Sequence, residues 1–574
     1  MNIKTIKYIV LTIVAFFIGN MISGTVLFYC LTHHLQRVSP WLYLNALLSL
    51  HTTPYVHHIM AISGITGLLC LGVMMLLLLP RTIPDIYGKA RFAHFADIKK
   101  AKLLTGKGIF LGRKWGKYLQ VDGYEHITLF SPTGTGKSVG LAIPNLMGWE
   151  DSCMVMDIKL QLFQLTSKYR QDILKNQVFL FNPASPDGVT QCYNPLDVIG
   201  NNSYTRIDEI QKIAAIFIPD NPKVEPIWTS QSRFLFVALT LYVLDTKGIP
   251  KNIPEVINVF KSKPQFVEFL QEVLENRPDL DPVCRFNLMK FCELHEKTRV
   301  SIIASFSSYF ELFDNPLIAT ATSRSDFDIR NLRREKMTIY VGVTNDNLVR
   351  LSPLLTVFYQ QVADVLTRKI PEGDERYGVL FLMDEFSALR RMESFHKNIG
   401  LYREYKLRMV IIIQELSQLY DTYGRDGAKV FINAKVRIAY TQNDDETCKL
   451  LELLMGNKTL VVKHRSKSMS THIFSQNNQT ESIHYTSRPL MLAQDIRLLP
   501  DGDQIILMQG HPPIYAKKII WYNQKPFKSR MLGEVYIPSI LSELDKTKRT
   551  QEETIHVVTS KQPDSYDEAL DNVI

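Results

Sequence analysis

The sequence Ile127-Thr-Leu-Phe-Ser-Pro-Thr-Gly-Thr-Gly-Lys-Ser138 decides the fold of this chain. A short apolar run leads into a turn-rich loop that ends in Gly-Lys-Ser. This is the pattern of a phosphate-binding loop, with the small residue Ser131 in place of the first glycine. Gly134 and Gly136 let the backbone curl so that successive N–H groups face an anion. The pattern predicts a strand, a loop and a helix whose positive dipole end adds to a nucleotide site.

Two residues of this loop have predicted chemical roles. Lys137 is expected to reach the β- and γ-phosphates of ATP, and the Ser138 hydroxyl to ligate Mg²⁺. The predicted nucleotide-binding residues are Ser131, Pro132, Thr133, Gly134, Thr135, Gly136, Lys137 and Ser138.

Length and composition set broad limits. The 574 residues leave room for two or three hydrophobic cores. The net charge of +9 permits a nucleic-acid partner without indicating one. Seven cysteines are scattered without a C-x-x-C pair, which predicts free thiols in a reducing compartment and no zinc site.

Two apolar runs near the N-terminus, 8–29 and 59–79, each have the roughly 20 residues that a membrane-spanning helix needs. Basic residues precede the first run and cluster after the second. The positive-inside rule therefore predicts that both termini are cytoplasmic and that a short loop lies outside. Residues 1–85 are predicted to be a membrane anchor. Ser63 and Gly67 could let two helices pack closely, although such small pairs are often incidental in apolar helices.

A second motif would complete a nucleotide site. The apolar run 378–385 ends in Asp384-Glu385 and is typical of a buried parallel strand. Asp384 is expected to hold Mg²⁺ or its water, and Glu385 to act as a general base on the attacking water. A strand entering a solvated loop would fit this run equally well by itself, but the upstream phosphate loop favours the catalytic interpretation.

A third predicted strand, 408–413, ends at Gln414. A polar side chain at this strand end could sense the γ-phosphate, whereas a glutamine that serves as a turn or helix-cap residue is the alternative.

Lys137 and Asp384 are 247 residues apart, so a large segment is inserted between the two motifs. Apolar residues at three- and four-residue spacing predict helices over 206–218, 231–245, 254–260, 264–275 and 298–313. Strand-like sequence resumes at 337–343. We therefore predict a nucleotide-binding domain in two parts, 86–202 and 323–535, interrupted by an all-α domain, 203–322. An acidic flexible tail, 536–574, is predicted to follow.

In this order, the motifs resemble those of the type IV secretion coupling proteins, the TraG-like conjugative ATPases. The resemblance covers nearly the whole chain from the first apolar run to about Trp521. The matching segments are Ser131–Pro144, Asp157–Lys159 with 162–170, Asn194–Asp197, Asp384–Phe386, Gln414 and Arg488–Leu490.

One residue takes its predicted role from the resemblance alone. Arg403 falls where the family places an arginine that enters the neighbouring subunit's site, and the alternative is an ordinary exposed helix arginine. The sequence departs from the family pattern at Leu160-Gln161, where glycine and glutamate are typical. This departure puts the role of the acidic position in doubt, so that only Asp157 and Lys159 are carried over from this motif.

The resemblance implies an α/β fold: a RecA-like P-loop NTPase core with an inserted all-α domain, preceded by two transmembrane helices. It implies a homohexamer in the bacterial inner (cytoplasmic) membrane that binds ATP and Mg²⁺. Its expected task is to pass relaxase-bound single-stranded DNA, effector proteins or both to a type IV secretion channel by means of ATP hydrolysis. The alternatives are an FtsK-like translocase of double-stranded DNA and a membrane receptor for secreted effectors that does not hydrolyse ATP.

Two basic stretches are candidates for DNA contact, and ordinary solvated surface is the other interpretation of each. They are Arg330, Arg333, Arg334 and Lys336, and Lys463, His464, Arg465 and Lys467. The second stretch lies in a polar segment, 456–487, that is predicted to be a long loop or hairpin. The acidic tail is either a docking site for relaxosome or adaptor proteins or a disordered end.

Overall fold

The computed structural model describes residues 13–14, 16–26, 54–78, 85–200, 202, 204–220, 225–467 and 479–545. Within them, one sheet of eleven strands forms the centre of the core, in the order β2-β1-β13-β12-β9-β3-β8-β7-β4-β6-β5. The strands are β1 Ile109–Lys114, β2 Lys117–Val121, β3 Ile127–Phe130, β4 Ser152–Asp157, β5 Gln177–Phe181, β6 Met337–Gly342, β7 Val379–Met383, β8 Leu407–Ile413, β9 Val436–Ala439, β12 Asp503–Met508 and β13 Ile514–Lys517. A separate hairpin consists of β10 Asn457–Lys467 and β11 Gln479–Pro489.

The strands from β9 to β5 are parallel to their neighbours, and β12, β13, β1 and β2 extend the sheet with antiparallel pairs. Every residue of β3, β4, β6, β7 and β8 is buried. Burial on both faces explains why these strands read as continuous apolar runs in the sequence. The strands predicted at 337–343, 378–385 and 408–413 are confirmed.

The register of the parallel strands brings several loops to one edge of the sheet. Phe130 at the end of β3 pairs with Ile413 at the end of β8. Met383 at the end of β7 pairs with Ile411 on one side and with Met156 of β4 on the other. The residues that follow these four strands therefore meet at a common edge.

Helices pack on the sheet, fill the segment between β5 and β6, and form part of a separate N-terminal unit. They are α1 Phe16–Val26, α2 Pro54–Leu78, α3 Phe95–Lys100, α4 Ile143–Leu146, α5 Gln161–Asp172, α6 Arg206–Phe217, α7 Pro226–Asp245, α8 Ile253–Lys261, α9 Phe266–Asn276, α10 Pro282–Glu293, α11 Glu296–Phe310, α12 Pro316–Ala321, α13 Leu348–Thr367, α14 Glu393–Asn398, α15 Leu416–Ile432, α16 Asp445–Met455 and α17 Ala493–Arg497. The five helices predicted between residues 206 and 313 are present.

Two helices of this segment, α10 and α12, were not predicted. The sequence at the start of α10 nevertheless has a typical capping pattern. Asp281 accepts the Val283 N–H at 2.8 Å as the N-cap residue, and Pro282 occupies the first turn. Most buried side chains of α6 to α12 join those of one face of the sheet, such as Met154 and Phe381, in one hydrophobic cluster. The predicted boundaries of a separate inserted domain are not tested by this packing and stay a prediction.

The N-terminal helices α1 and α2 belong to a unit separate from that of the sheet. They lie within or overlap the two predicted spans, and the rest of those spans and their connecting loop fall outside the described residues. Ser23 Oγ and Thr66 Oγ1 form a hydrogen bond of 2.8 Å between the helices. A Cβ added to Gly67 would come within 2.8 Å of Asn20 Nδ2. Gly67 thus permits the close approach of the two helices.

Among the fully described helices, α7 has the length and apolar composition to cross a membrane by those two measures alone. More than half of its apolar window is buried in the protein, so α7 is a core helix.

The segment after β13 packs against the core further than the sequence predicted. Val535, Ile537 and Ile540 are buried, and Arg324 forms an ion pair of 2.8 Å with Glu543. The predicted start of the flexible tail at 536 is therefore wrong, because residues 536–545 belong to the packed structure. Residues 546–574 lie outside the described residues.

Arg170 of α5 and Arg408 of β8 are the largest fully buried side chains among the described residues. Arg170 Nη1 donates to the carbonyl oxygens of Leu146 and Trp149 at 2.6 and 2.8 Å. Its Nε donates to Thr338 on β6 at 2.6 Å, and its Nη2 donates to the Asp151 carbonyl and the Asn176 side chain. This guanidinium therefore connects α5 to β6, to the end of α4 and the loop before β4, and to the loop before β5.

We expect Arg170→Ala to destabilise the protein by at least about 3 kcal/mol, because several buried acceptors lose their donor together. The thermal unfolding midpoint of the purified chain measures the effect. Lys168→Ala, on the same helix but exposed and paired with Asp172 at 3.5 Å, is the control and should change stability by less than about 0.5 kcal/mol. Equal midpoints for the two variants would contradict this assignment.

Candidate active site

The loop that follows β3 closes on itself through hydroxyl groups. Ser131 is fully buried, its N–H donates to the Ile413 carbonyl at 2.9 Å, and its Oγ hydrogen-bonds Thr135 Oγ1 at 2.7 Å. Thr135 Oγ1 in turn donates to the Pro132 carbonyl at 2.7 Å. Serine at the position of the usual first glycine therefore fits the loop and ties its two ends together.

Gly134 and Gly136 have φ angles of +83° and +82°. No atom lies within 4 Å of where their Cβ atoms would be, so backbone conformation and not crowding requires glycine here. A helical turn, Ser138–Ala142, begins directly after Lys137 and continues into α4. The predicted order of strand, loop and helix is confirmed.

Lys137 extends to the acidic end of β7. Its Nζ donates to the Asp384 carbonyl oxygen at 3.0 Å and to Glu385 Oε2 at 3.2 Å, and it lies 3.6 Å from Asp384 Oδ1. The three side chains are only 13–17% exposed. The two predicted motifs therefore meet in space, in spite of their separation along the chain.

Gln414 connects the phosphate loop to Glu385. Its Nε2 donates to Glu385 Oε2, and its Oε1 accepts a hydrogen bond of 2.6 Å from Thr133 Oγ1. The residue that caps the following helix is Glu415. The side chain of Gln414 thus takes part in the site, and γ-phosphate sensing stays a prediction.

Two buried carboxyl groups lie at this edge. Burial, assisted by the charge of Glu385, raises the pKa of Asp384 above its usual range, and Lys137 opposes this shift. Asp384 Oδ1 is buried and accepts no hydrogen bond. Asp157, at the end of β4, is 2% exposed and accepts the Phe163 N–H at 2.7 Å. Burial raises the pKa of Asp157 to about 6.

A cleft of about 500 Å³ joins these groups. Its lining includes six predicted residues: Thr133, Lys137, Ser138, Asp384, Glu385 and Gln414. Asp157 and Lys159, carried over from the family pattern, also line it, as does Gln161 at the departure from that pattern. Asn345, Ser387 and Gln418 line it as well, and the sequence did not single them out. Gln418 lies in the first turn of α15, and its Oε1 accepts a hydrogen bond of 2.9 Å from the Ser387 hydroxyl.

The departure at Leu160-Gln161 has a structural consequence. Leu160 has a φ angle of +55°, a left-handed conformation that favours glycine, and it precedes α5. Such a conformation costs a leucine about 1 kcal/mol relative to its ordinary regions. Gln161 lines the cleft with a neutral amide at the position where the family typically has a carboxylate.

The structure does not bring Arg403 into this cleft. Arg403 is exposed on the 3-10 helix Ile399–Tyr405, which precedes β8, whereas Gln414 follows β8. The seven residues of β8 separate the two by about 20 Å. Arg403 is therefore unable to act on the phosphate loop of its own chain.

His126 fixes the helix that carries Arg403. Its Nδ1 accepts the Met409 N–H at 3.1 Å, which leaves the proton on Nε2. Nε2 therefore donates to the Ile399 carbonyl at 2.7 Å. Burial lowers the pKa of His126 to about 4, so the imidazole is neutral at physiological pH.

The first basic stretch is largely neutralised by acidic neighbours. Arg333 is buried and pairs with Glu375 at 3.2 Å, so its prediction as a DNA contact is wrong. Arg330 pairs with Asp328 at 2.8 Å, and Arg334 with Asp374 at 3.1 Å. In the second stretch, Lys463, His464, Arg465 and Lys467 lie on β10, and the side chains of the last two are outside the described part of the chain.

Residues 91–564 match the family described as type IV secretory system conjugative DNA transfer. The chain belongs to this family. Protein VirD4 of Agrobacterium fabrum is 31% identical over 491 residues, which cover 83% of this chain and 71% of VirD4. Conjugal transfer protein TraG of Escherichia coli is 26% identical over 523 residues, which cover 81% of each chain.

A solved structure of the plasmid coupling protein TrwB in complex with ADP and Mg²⁺ resembles this chain with a TM-score of 0.55 at 18% identity. The match covers 76% of this chain and 96% of TrwB. This similarity concerns the fold, and together with the mixed sheet it confirms the predicted RecA-like α/β core of this family member.

The raised pKa of Asp157 predicts a pH-dependent stability in the absence of nucleotide. Between about pH 4 and 6 the native protein keeps a proton that the unfolded chain releases, so the free energy of unfolding falls as pH rises through this window. The loss is on the order of 3 kcal/mol. Asp157→Asn can still accept the Phe163 N–H and avoids this loss, so it should unfold at a higher temperature than the wild type at pH 7.5.

The difference between Asp157→Asn and the wild type should shrink towards pH 4, where both carry a neutral group. Asp172→Asn removes a partly exposed carboxylate from the end of α5, the helix that carries Phe163, and controls for the change in net charge. Destabilisation by Asp157→Asn at pH 7.5 would contradict the assignment of a buried, proton-retaining carboxyl.

Proposed function

We propose that this chain is the coupling ATPase of a type IV secretion system and uses ATP hydrolysis to deliver single-stranded DNA, with its bound relaxase, or effector proteins to the secretion channel. The observation that carries the proposal is the contact of Lys137 with Asp384 and Glu385 in a cleft that Gln414 also enters. Membership in the conjugative DNA transfer family supplies the task.

The residues of the cleft fit ATP with Mg²⁺. The N–H groups of a loop with two glycines at positive φ suit phosphate oxygens, and Lys137 adds a cation. Asp384 Oδ1 is a buried oxygen without a hydrogen-bond donor, which is the kind of ligand that Mg²⁺ prefers. Ser138 and Asp384 would hold the ion, which would neutralise charge on the phosphate oxygens.

The remaining side chains have roles in moving a proton and orienting water. Glu385 is the proposed general base, because its Oε2 already accepts hydrogen bonds from Lys137 and Gln414 and its carboxylate faces the cleft. Gln414 is proposed to report on the γ-phosphate, since it contacts both the phosphate loop through Thr133 and the base. Arg403 is proposed to enter the site of the next subunit.

An arginine that cannot reach its own site supports a ring in which subunits complete one another's sites, so a homohexamer is part of the proposal. The apolar helices α1 and α2 and the charge pattern around them support a multi-pass anchor, residues 1–85, in the bacterial inner membrane, with both termini cytoplasmic. We further propose that residues 86–202 and 323–535 form the two parts of the nucleotide-binding core and that residues 203–322 form an all-α domain.

Lys137→Ala tests the function. Loss of the ammonium group should reduce ATP hydrolysis by the purified full-length protein by at least about 100-fold and reduce DNA transfer between cells to background. Lys290→Ala, an exposed lysine paired with Glu293 on α10, is the control and should leave both measurements unchanged. Normal transfer by Lys137→Ala, with no ATP hydrolysis by the wild type, would indicate a receptor instead. Movement on naked duplex DNA, with transfer intact after gene deletion, would indicate an FtsK-like translocase.

Mixed oligomers test the role of Arg403. Arg403→Ala and Lys137→Ala should each be inactive, but their equimolar mixture should recover about one quarter of the wild-type ATPase activity, because that fraction of subunit interfaces combines an intact loop with an intact arginine. A mixture of Lys137→Ala with Glu385→Gln should recover nothing, since both residues lie in the cleft of one chain. Absence of recovery in the first mixture would mean that Arg403 does not act between subunits.

A further inference from the structure

A buried lysine from the C-terminal part of the core contacts the backbone of the phosphate loop. Lys518 directly follows β13 and is 5% exposed. Its Nζ donates to the carbonyl oxygen of Thr135 at 2.8 Å and lies 4.0 Å from the ring centroid of Tyr440. Its backbone N–H donates to the Gly502 carbonyl at 2.9 Å, which fixes the start of the side chain.

The groups around this contact are tightly placed. The Tyr440 N–H donates to the Phe130 carbonyl at 3.0 Å, at the point where β3 becomes the loop. A Cβ on Gly140 would lie 2.4 Å from the Tyr440 hydroxyl oxygen, so the ring fills the space between the loop and the following helix. Lys518 therefore approaches Thr135 over a fixed aromatic surface, where a cation is favoured.

The accepting carbonyl belongs to the peptide between Thr135 and Gly136, in the middle of the loop. An anion site made of backbone N–H groups needs its carbonyl oxygens turned away from the anion, since oxygen dipoles would repel it. A hydrogen bond from an ammonium group to the Thr135 carbonyl holds this peptide in that orientation and polarises the Gly136 N–H. The buried positive charge also attracts the phosphates directly.

We propose that Lys518 is a positioning residue for nucleotide binding, which holds the Thr135–Gly136 peptide with its N–H towards the phosphates and strengthens that N–H as a donor. The inference rests on the proposed function of the cleft as an ATP site, and it adds a residue 383 positions away from Thr135 that no part of the loop motif indicates.

The charge of Lys518 changes in an accessible pH range. Burial lowers the pKa of Lys518 to about 8, against the opposing charges of Asp501 and Asp503. The other titratable group that faces it is the Tyr440 phenol, whose pKa burial raises above its usual range. Asp503 also pairs with Lys517 and accepts a hydrogen bond from Tyr515. As pH rises past 8, Lys518 therefore loses its proton and, with it, the part of its contribution to binding that depends on charge.

The test measures ADP affinity of the full-length protein in detergent, with Mg²⁺, by titration calorimetry at pH 7 and pH 9.5. Lys518→Met keeps the length of the side chain and removes the charge. We expect it to weaken ADP binding about tenfold at pH 7 and by a clearly smaller factor at pH 9.5, where the wild-type lysine has lost its charge but its amine can still donate to the Thr135 carbonyl. Lys517→Met changes the adjacent, 66% exposed lysine in the same way and should match the wild type at both pH values.

Each other outcome has a definite meaning. Equal ADP affinity of Lys518→Met and the wild type at pH 7 overturns the inference, while the ATP site stands. An equal loss at both pH values also overturns it, because damage to packing and not the charge would then be the cause, and the thermal unfolding midpoint would record that damage. A wild type that binds no ADP overturns the proposed function and this inference with it.

Discussion

The parallel register of β3, β8, β7 and β4 is the constraint on which the rest of the structure depends. Because Phe130, Ile413 and Met383 lie near the same ends of paired strands, the loops that follow them open at one edge. Neighbouring parallel strands require long crossover connections, so motifs that follow such strands can be far apart in the chain and still be neighbours in space. The contact of Lys137 with the acidic residues after β7 follows from this register.

The same edge places the buried carboxyl groups of Asp157 and Asp384 beside the Glu385 carboxylate, with Lys137 as the cation that contacts Asp384 and Glu385. Carboxylates removed from water need a compensating cation, and burial raises the pKa of Asp157 and, in spite of the charge of Lys137, that of Asp384. If Lys137 also binds a phosphate, as proposed, it cannot compensate these carboxylates fully. The composition of the cleft therefore favours joint binding of a phosphate ligand and a divalent cation, and each is expected to strengthen the binding of the other.

Sequence predicted the parts of this site that lie within local motifs: the loop, the Asp384-Glu385 strand end and Gln414. It could not predict contacts between distant residues, such as Lys518 with Thr135 or His126 with Ile399, because no local pattern marks them. The tail boundary was wrong for a related reason, since Val535, Ile537 and Ile540 pack without forming a regular element. A run of charges likewise says nothing about burial, and Arg333 is buried because Glu375 lies beside it.

Strands β3 and β8 support both the phosphate loop and Arg403, the two groups that would meet across the proposed subunit interface. At the start of β3, His126 bonds to Met409 of β8 and to the helix of Arg403; at its end, the Ser131 N–H bonds to Ile413 of β8. Thr128 in the middle of β3 donates to the Phe431 carbonyl at 2.6 Å, and every residue of both strands is buried. The phosphate loop and Arg403 are thus mounted on opposite ends of one closely packed element, and a shift of one relative to the other would break several buried hydrogen bonds. In the proposed ring, we therefore expect rotation between subunits, and not rearrangement within one subunit, to bring the arginine into and out of the neighbouring site.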